Sequence, residues 1–352
     1  MVRLQSFMRN MRNMRYAAIR RGLDAIAFSG LGKLFPSSGG RGVIFTLHHI
    51  GADKTDEFRP NSILSVTPEF LTDTIETAFD AGLVPVHLHD LPALLANKSD
   101  NRKFVAFTFD DGYRNNAEIA APIFRKFGIP YTVFPTMGFV DRTHTIWWET
   151  TEALLRKTTE ISFDFGRGFE TLCTKTVAQK YVAFDRLAAF VRAFDEDEAV
   201  RLIDDLAVSQ CDVDPRAIVN EMVMDQTELK ALATDPLTHI GGHTIAHVNL
   251  RRVSEERLTH EIEASQAAIE RVVGYRPKSF SYPYGWCSAV GEREIEMVAK
   301  AGFQVAVTTQ PAVLQRSDAL RPTAIKRISL NGDFQKQRYV KALISGLAFK
   351  FL

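Results

Sequence analysis

The chain has 352 residues, with 43 basic against 42 acidic side chains and 45% hydrophobic residues. That is an ordinary globular composition able to bury a large core. The charge balance argues against a dedicated nucleic-acid binder, and no run of about 18 apolar residues is present to span a membrane. At about 150 residues per domain, the length fits two domains or one large α/β barrel carrying an insertion. Three widely spaced cysteines, Cys173, Cys211 and Cys287, form neither a disulfide framework nor a CxxC site and fit a reducing compartment.

The first 41 residues read as a basic helical segment. Arg3, Arg9, Arg12, Arg15, Arg20 and Arg21 precede the first acid, Asp24. Arginines interrupt the stretch throughout, so it lacks the continuous apolar run of an export signal, and a cytoplasmic location is expected. The segment is read as a solvated basic helix leading into the fold. The competing reading is an amphipathic helix in peripheral contact with an anionic membrane, at its inner face.

Eight short apolar runs then read as buried strands, at 42–47, 84–88, 104–109, 131–135, 239–242, 279–282, 304–308 and 325–330. Helical patterns lie between many of them. Thr67 is placed to cap a helix with Pro68 in its first turn and Phe70, Leu71, Ile75 and Phe79 on one face before Gly82. Ser254, followed by Glu255 and Glu256, opens another whose apolar positions Leu258, Ile262, Ala268, Ile269 and Val273 lead to a stop at Gly274. A shorter helix runs from about Glu292 to Gly302. Alternating strands and helices imply a mainly parallel sheet, and eight strands suit a barrel better than an open sheet. Residues 148–226 break the rhythm, with helices expected at 151–157, 177–194 and 195–208. The expected organisation is therefore α/β: a barrel from 42–147 and 227–335, a helical insertion at 148–226, and a tail at 336–352.

Several strand ends carry chemistry. In Phe107-Thr108-Phe109-Asp110-Asp111-Gly112-Tyr113 an apolar strand runs into two adjacent carboxylates. Side chains alternate along a strand, so the two acids point in different directions and can do different jobs. In Gly242-His243-Thr244-Ile245-Ala246-His247 two histidines four apart would share one face of a helical turn, where both imidazoles can reach one ion. With Asp111 they would form a two-histidine, one-carboxylate set with positions open for water and substrate. Phe280-Ser281-Tyr282-Pro283-Tyr284-Gly285 ends in a bend whose backbone N–H groups could face an oxyanion. Leu47-His48-His49-Ile50 closes an early strand.

Taken in order, the TFDDGY, HTxxH and FxYPYG segments resemble the polysaccharide deacetylases of the NodB-homology type, carbohydrate esterase family 4. The resemblance runs from about Gly42 to Leu330 and implies a distorted (β/α) barrel. It implies a divalent metal, Zn²⁺ first with Co²⁺, Mn²⁺ or Fe²⁺ as alternatives, on Asp111, His243 and His247. It makes Asp110 the general base and gives Tyr284 a backbone N–H for the oxyanion. Two departures stand out: Ser281 occupies the place of an arginine that steadies the base, and no histidine follows His260 to act as general acid. The poly-N-acetylglucosamine deacetylases of the family carry their acid on the first strand, which points to His48 rather than His49. Trp147, Trp148 and Pro283 are the substrate-binding candidates, because tryptophan faces stack on sugar rings. The implied activity is removal of N-acetyl groups from N-acetylhexosamine units of an oligo- or polysaccharide. An amidase on a non-sugar N-acyl compound and a non-catalytic carbohydrate-binding protein are the alternatives.

Overall fold

The computed structural model describes residues 2–29, 35–52 and 56–350; the side chains of residues 2–13, and hence of Arg3, Arg9 and Arg12, and that of Arg15 lie outside the described part. In chain order the strands are β1 (Gly42–Leu47), β2 (His49–Ile50), β3 (Ser65–Val66), β4 (Leu83–Pro85), β5 (Lys103–Asp111), β6 (Tyr131–Pro135), β7 (Glu160–Asp164), β8 (Phe169–Cys173), β9 (Thr238–Ile240), β10 (Ser279–Ser281), β11 (Val305–Val307) and β12 (Ile328–Ser329). The helices begin with α1 (Val2–Ser29), α2 (Pro68–Asp80), α3 (Leu91–Ala96), α4 (Ala121–Phe127), α5 (Met137–Val140) and α6 (Trp147–Lys157). They continue with α7 (Val177–Ala193), α8 (Glu196–Cys211), α9 (Pro215–Met222), α10 (Gln226–Leu232), α11 (Glu255–Val273), α12 (Glu292–Lys300) and α13 (Gln337–Ile344).

Among the described residues, seven parallel strands close into a ring. β12, β1, β5, β6 and β9 are neighbours in that order. The bridge Gly242↔Phe280 joins β9 to β10, β10 pairs with β11, and Val307↔Ile325 returns the path to the segment entering β12. The ring is thus a distorted (β/α) barrel. β4 lies outside it, paired only with the first residues of β5, while β6 pairs with the last. All eight expected strands form, and the eighth flanks the ring instead of completing it.

Strand alternation sorts the core into layers. Ile44, Phe104, Ala106, Phe134, Val305, Val307 and Ile325 form one apolar cluster with Leu88, Leu91 and Leu95. The intervening residues Val43, Phe45, Leu47, Val105, Phe107, Phe109 and Val133 pack in a second cluster with α2 and α4, through Phe70, Leu71, Ile75 and Phe124. α2 starts as its cap predicts, Thr67 Oγ accepting from Phe70 N–H, but Phe79 is 41% exposed and the buried face runs through Thr74 and Ala78. α11 follows its caps, with Ser254 accepting from Arg257 N–H and Gly274 left-handed at φ 83°.

Between β6 and β9 the chain holds α5 to α10 and an antiparallel hairpin, β7–β8. The hairpin is absent from the sequence expectation. Phe169, Thr171 and Cys173 face outward on β8, so it lacks the wholly apolar strand signature that marks the barrel. Residues after 335, expected as a tail, form α13, which packs against α1 through Tyr339, Ala342 and Leu23.

Candidate active site

The expected site residues other than Trp147 and Trp148, which open α6, stand at or just past the C-terminal ends of the ring strands, where the loops leave the sheet and catalytic groups of such folds collect. β5 ends in Asp110 and Asp111, both buried. Alternation sends Asp110 into the ring. Asp111 sits at φ 71°, a left-handed conformation costing a non-glycine residue roughly 1–3 kcal/mol, and this re-aims its carboxylate toward the histidines.

The segment from His243 to His247 is a loop and not the helical turn expected from the four-residue spacing. Thr244 and His247 are both left-handed, at φ 64° and 56°, and this folding brings the two imidazoles to one side. Several contacts hold the loop. Thr244 Oγ accepts from His247 N–H, and the wholly buried carboxylate of Glu261, on α11, accepts from the N–H groups of Ile245 and Ala246 at 2.8 and 2.9 Å. α5 donates the Met137 and Gly138 N–H groups to the carbonyls of Thr244 and Ile245. A side chain at position 138 would put its Cβ 2.3 Å from the Ile245 carbonyl, so only glycine allows this approach.

The ring nitrogens Nε2 of His243 and His247 lie 3.4 and 3.3 Å from Asp111 Oδ1. His243 Nδ1–H donates to the Ser281 carbonyl at 2.7 Å, which fixes the tautomer and turns the Nε2 lone pair toward Asp111. Asp111 Oδ1 is buried and accepts no hydrogen bond. An orphaned buried carboxylate oxygen is costly in an apolar interior, and a cation satisfies it. Bonds of about 2.0–2.1 Å in a tetrahedral zinc site set neighbouring ligand atoms about 3.3 Å apart, so the spacing and donor set fit a divalent cation. Burial drives His247 down to about 4, against the pull of Asp111, leaving it the neutral imidazole a metal requires.

Asp110 meets an arginine that sequence reasoning missed. Arg327 enters the ring just before β12, is fully buried, and spends all five N–H donors. Two go to Asp110 at 2.8 and 2.7 Å. The others go to Thr108 Oγ, Ser281 Oγ and the Thr308 carbonyl. The bidentate pair fixes the carboxylate plane. Burial pushes the Asp110 carboxyl up, but the charge and hydrogen bonds of Arg327 outweigh it and hold the group far below the usual carboxylate range. Ser281, the residue in the expected arginine's place, is thus a partner of an arginine supplied from another strand.

The other candidates surround this centre. His48 follows β1, is half-buried and is near enough to interact electrostatically with Asp110, Asp111 and His247. His49 turns elsewhere, its ring 3.6 Å from that of Tyr113 and its Nδ1 2.8 Å from Asn115 Nδ2. Pro283 is buried, and Tyr284 is left-handed at φ 63°. Gly285 locks this bend, because a Cβ there would fall 2.6 Å from Thr309 N. Among the described residues the Tyr284 N–H donates to no protein acceptor. The Tyr284 hydroxyl donates to Glu196 at the start of α8, a mostly buried carboxyl whose burial raises it above its usual range.

Trp147 and Trp148 are 8% and 7% exposed and form a wall, not an open platform. Their indole N–H groups donate to Tyr284 Oη and Tyr113 Oη, and the Trp148 ring lies 5.1 Å from His247. Behind His247 they border a cavity of about 390 Å³ whose lining includes Glu196, Asp204 and Arg216. The exposed aromatic is Trp286, 39% exposed and 4.9 Å from the Tyr284 ring. Its place two residues past the Pro-Tyr bend was the signal available for it.

Fold and centre together define a β/α-barrel protein whose two-histidine, one-carboxylate set sits beside an arginine-clamped acid. The polysaccharide deacetylase family model matches residues 97–166 and 204–306, a range that holds Asp110, Asp111, His243, His247 and Tyr284. The chain belongs to the polysaccharide deacetylase family. It is 30% identical over 66 residues to the peptidoglycan-N-acetylglucosamine deacetylase of Bacillus cereus, a match spanning 19% of this chain and 23% of that protein. Several solved structures share the fold, among them two deacetylase-sized chains covered almost in full. The Streptococcus pyogenes deacetylase PplD, in complex with acetate, is 15% identical with a TM-score of 0.53, covering 83% of this chain and 93% of its own. IcaB from Ammonifex degensii is 16% identical with a TM-score of 0.53, covering 86% and 98%.

Proposed function

We propose that the protein is a metal-dependent hydrolase that removes N-acetyl groups from N-acetylhexosamine units of an oligo- or polysaccharide, releasing acetate and a free amine. The observation that carries this reading is the convergence of Asp111, His243 and His247 beside an Asp110 held ionised by Arg327. A divalent cation, Zn²⁺ first, held by these three ligands would supply Lewis acidity toward an amide carbonyl and acidify bound water. The chain's own groups do the rest. Asp110 accepts the proton of the attacking water, a role typically contributing about 10²–10⁴ in rate. The Tyr284 N–H donates to the oxygen that gains charge as the amide is attacked. His48 delivers a proton to the departing nitrogen. Trp286 offers an exposed ring for a neighbouring sugar, with Trp147 and Trp148 bracing the wall behind His247.

The test is acetate release from N-acetylglucosamine oligomers by metal-stripped protein, with and without added Zn²⁺ or Co²⁺. Metal-restored release, abolished in Asp110→Asn and strongly reduced in His48→Ala, is the expected result. Metal binding with release only from non-sugar N-acyl compounds would transfer the assignment to an amidase. Binding of sugars without release would make the protein a carbohydrate-binding module.

A further inference from the structure

The N-terminal helix presents a largely exposed face, which Arg338 approaches at the Phe28 ring. α1 runs for 28 residues, about 42 Å at 1.5 Å per residue. Its second half is anchored on one side, where Ile19, Leu23, Ile26 and Ala27 pack with Tyr339, Ala342 and Phe334. Asp24 adds a bond to Arg338. On the other side Met14 and Phe28 are 70% and 76% exposed, and Ala18, Arg21, Gly22 and Ala25 are exposed with them.

Before Met14 the sequence spacing alone continues the same pattern. Leu4, Phe7, Met11, Met14, Ala18, Arg21, Ala25 and Phe28 follow one another at alternating three- and four-residue steps, the spacing of a single helical stripe. The apolar weight falls in its first half. Charge is equally uneven: residues 1–23 hold six arginines and no acid, whereas the remainder has 37 basic against 42 acidic residues.

Two occupants could cover such a stripe. A second copy would bring six arginines against six with Asp24, already held by Arg338, as the one acid of the helix, and its seam would contain Ala18, Arg21 and Ala25, which bury little. An anionic bilayer complements both features: phosphates meet the arginines, and the Leu, Phe and Met positions suit the boundary between headgroups and acyl chains. We propose that α1 docks the protein on anionic phospholipid surfaces through this stripe. Docking is independent of the reaction at the barrel mouth.

Co-sedimentation of the full chain with vesicles tests it, comparing phosphatidylcholine alone with phosphatidylcholine mixed with phosphatidylglycerol. Each basic residue near such a surface contributes about fivefold, so Arg12→Ala with Arg15→Ala is expected to weaken binding to the mixed vesicles about 25-fold. Raised salt should weaken wild-type binding as well. Met14→Asp, at an exposed position, is expected to weaken it with an unchanged thermal midpoint. Equal sedimentation with both vesicle types, none with either, or undiminished binding by the double variant would overturn the proposal. So would a dimer in sedimentation velocity that Met14→Asp dissociates, which would give the stripe to a second copy.

Discussion

Replacing Arg327 by Met tests how the acid of the centre is kept ionised. The guanidinium is buried and every donor is used, two of them on Asp110. Removing it leaves a carboxylate that is 2% exposed without its counter-charge. Breaking a buried pair from one side costs about 3–5 kcal/mol, unless the stranded group takes up a proton. Either response is measurable. If Asp110 stays ionised, the urea midpoint falls by the equivalent of that cost. If it protonates, stability is partly kept and the base is lost: burial, no longer opposed by Arg327, raises the carboxyl, so acetate release at neutral pH drops by about 10²–10⁴ and recovers as pH rises. Asp110→Asn combined with Arg327→Met separates the two, because the neutral amide needs no counter-charge. We expect the double variant to be more stable than Arg327→Met alone by up to about 3 kcal/mol, with no activity in either background. Arg327→Lys keeps the charge but not the planar fork and should fall between. An Arg327→Met protein with wild-type activity and an unchanged urea midpoint would refute the reasoning.

Three further outcomes follow from the same contacts. Glu261→Ala removes the acceptor of the Ile245 and Ala246 N–H groups, so Zn²⁺ affinity measured by chelator competition should fall about 10- to 100-fold, and unchanged affinity would show that the histidine loop holds itself. Gly285→Ala forces a Cβ toward Thr309 N and should displace the Tyr284 N–H, lowering kcat by about 10²–10³; Tyr284→Phe keeps that N–H and should cost far less, and equal losses would argue against the backbone role. His239 lies inside the ring beside His89, and burial lowers them to about 3 and about 4. Their unfolded forms take up protons below about pH 6.5 while the native forms do not, so this stability is intact above pH 6.5 and is lost as pH falls toward 4. For His239 the loss is roughly 1 kcal/mol at pH 5.5, and urea unfolding of His239→Gln should show a shallower pH slope there than wild type.

What the sequence disclosed, and what it withheld, follows from the range over which each signal acts. The strands were legible because a barrel strand is buried on both faces, so 42–47, 104–109 and 131–135 read as unbroken apolar runs. α2 and α11 were legible because Thr67, Ser254 and Gly274 act on backbone groups within a few residues. The β7–β8 hairpin was not, since its outer face lies in solvent and its alternation looks like the polar spacing of neighbouring helices. Asp111, His243 and His247 could be named as a set, but the geometry joining them could not. Their convergence depends on three left-handed or tightly held backbone positions and on Glu261, which is 14 residues past His247 and reads as an ordinary surface glutamate of an amphipathic helix. Arg327 is the instructive miss. In an expected strand at 325–330, alternation places it on the same face as the apolar Ile325, hence inside the barrel, where an arginine demands a buried acid. Ser281, small where a larger side chain was expected, marks the space that this guanidinium fills, its Oγ 2.9 Å from Arg327 Nη2. The guanidinium expected at position 281 reaches Asp110 from position 327 instead, and strand parity alone was enough to place that side chain inside the barrel.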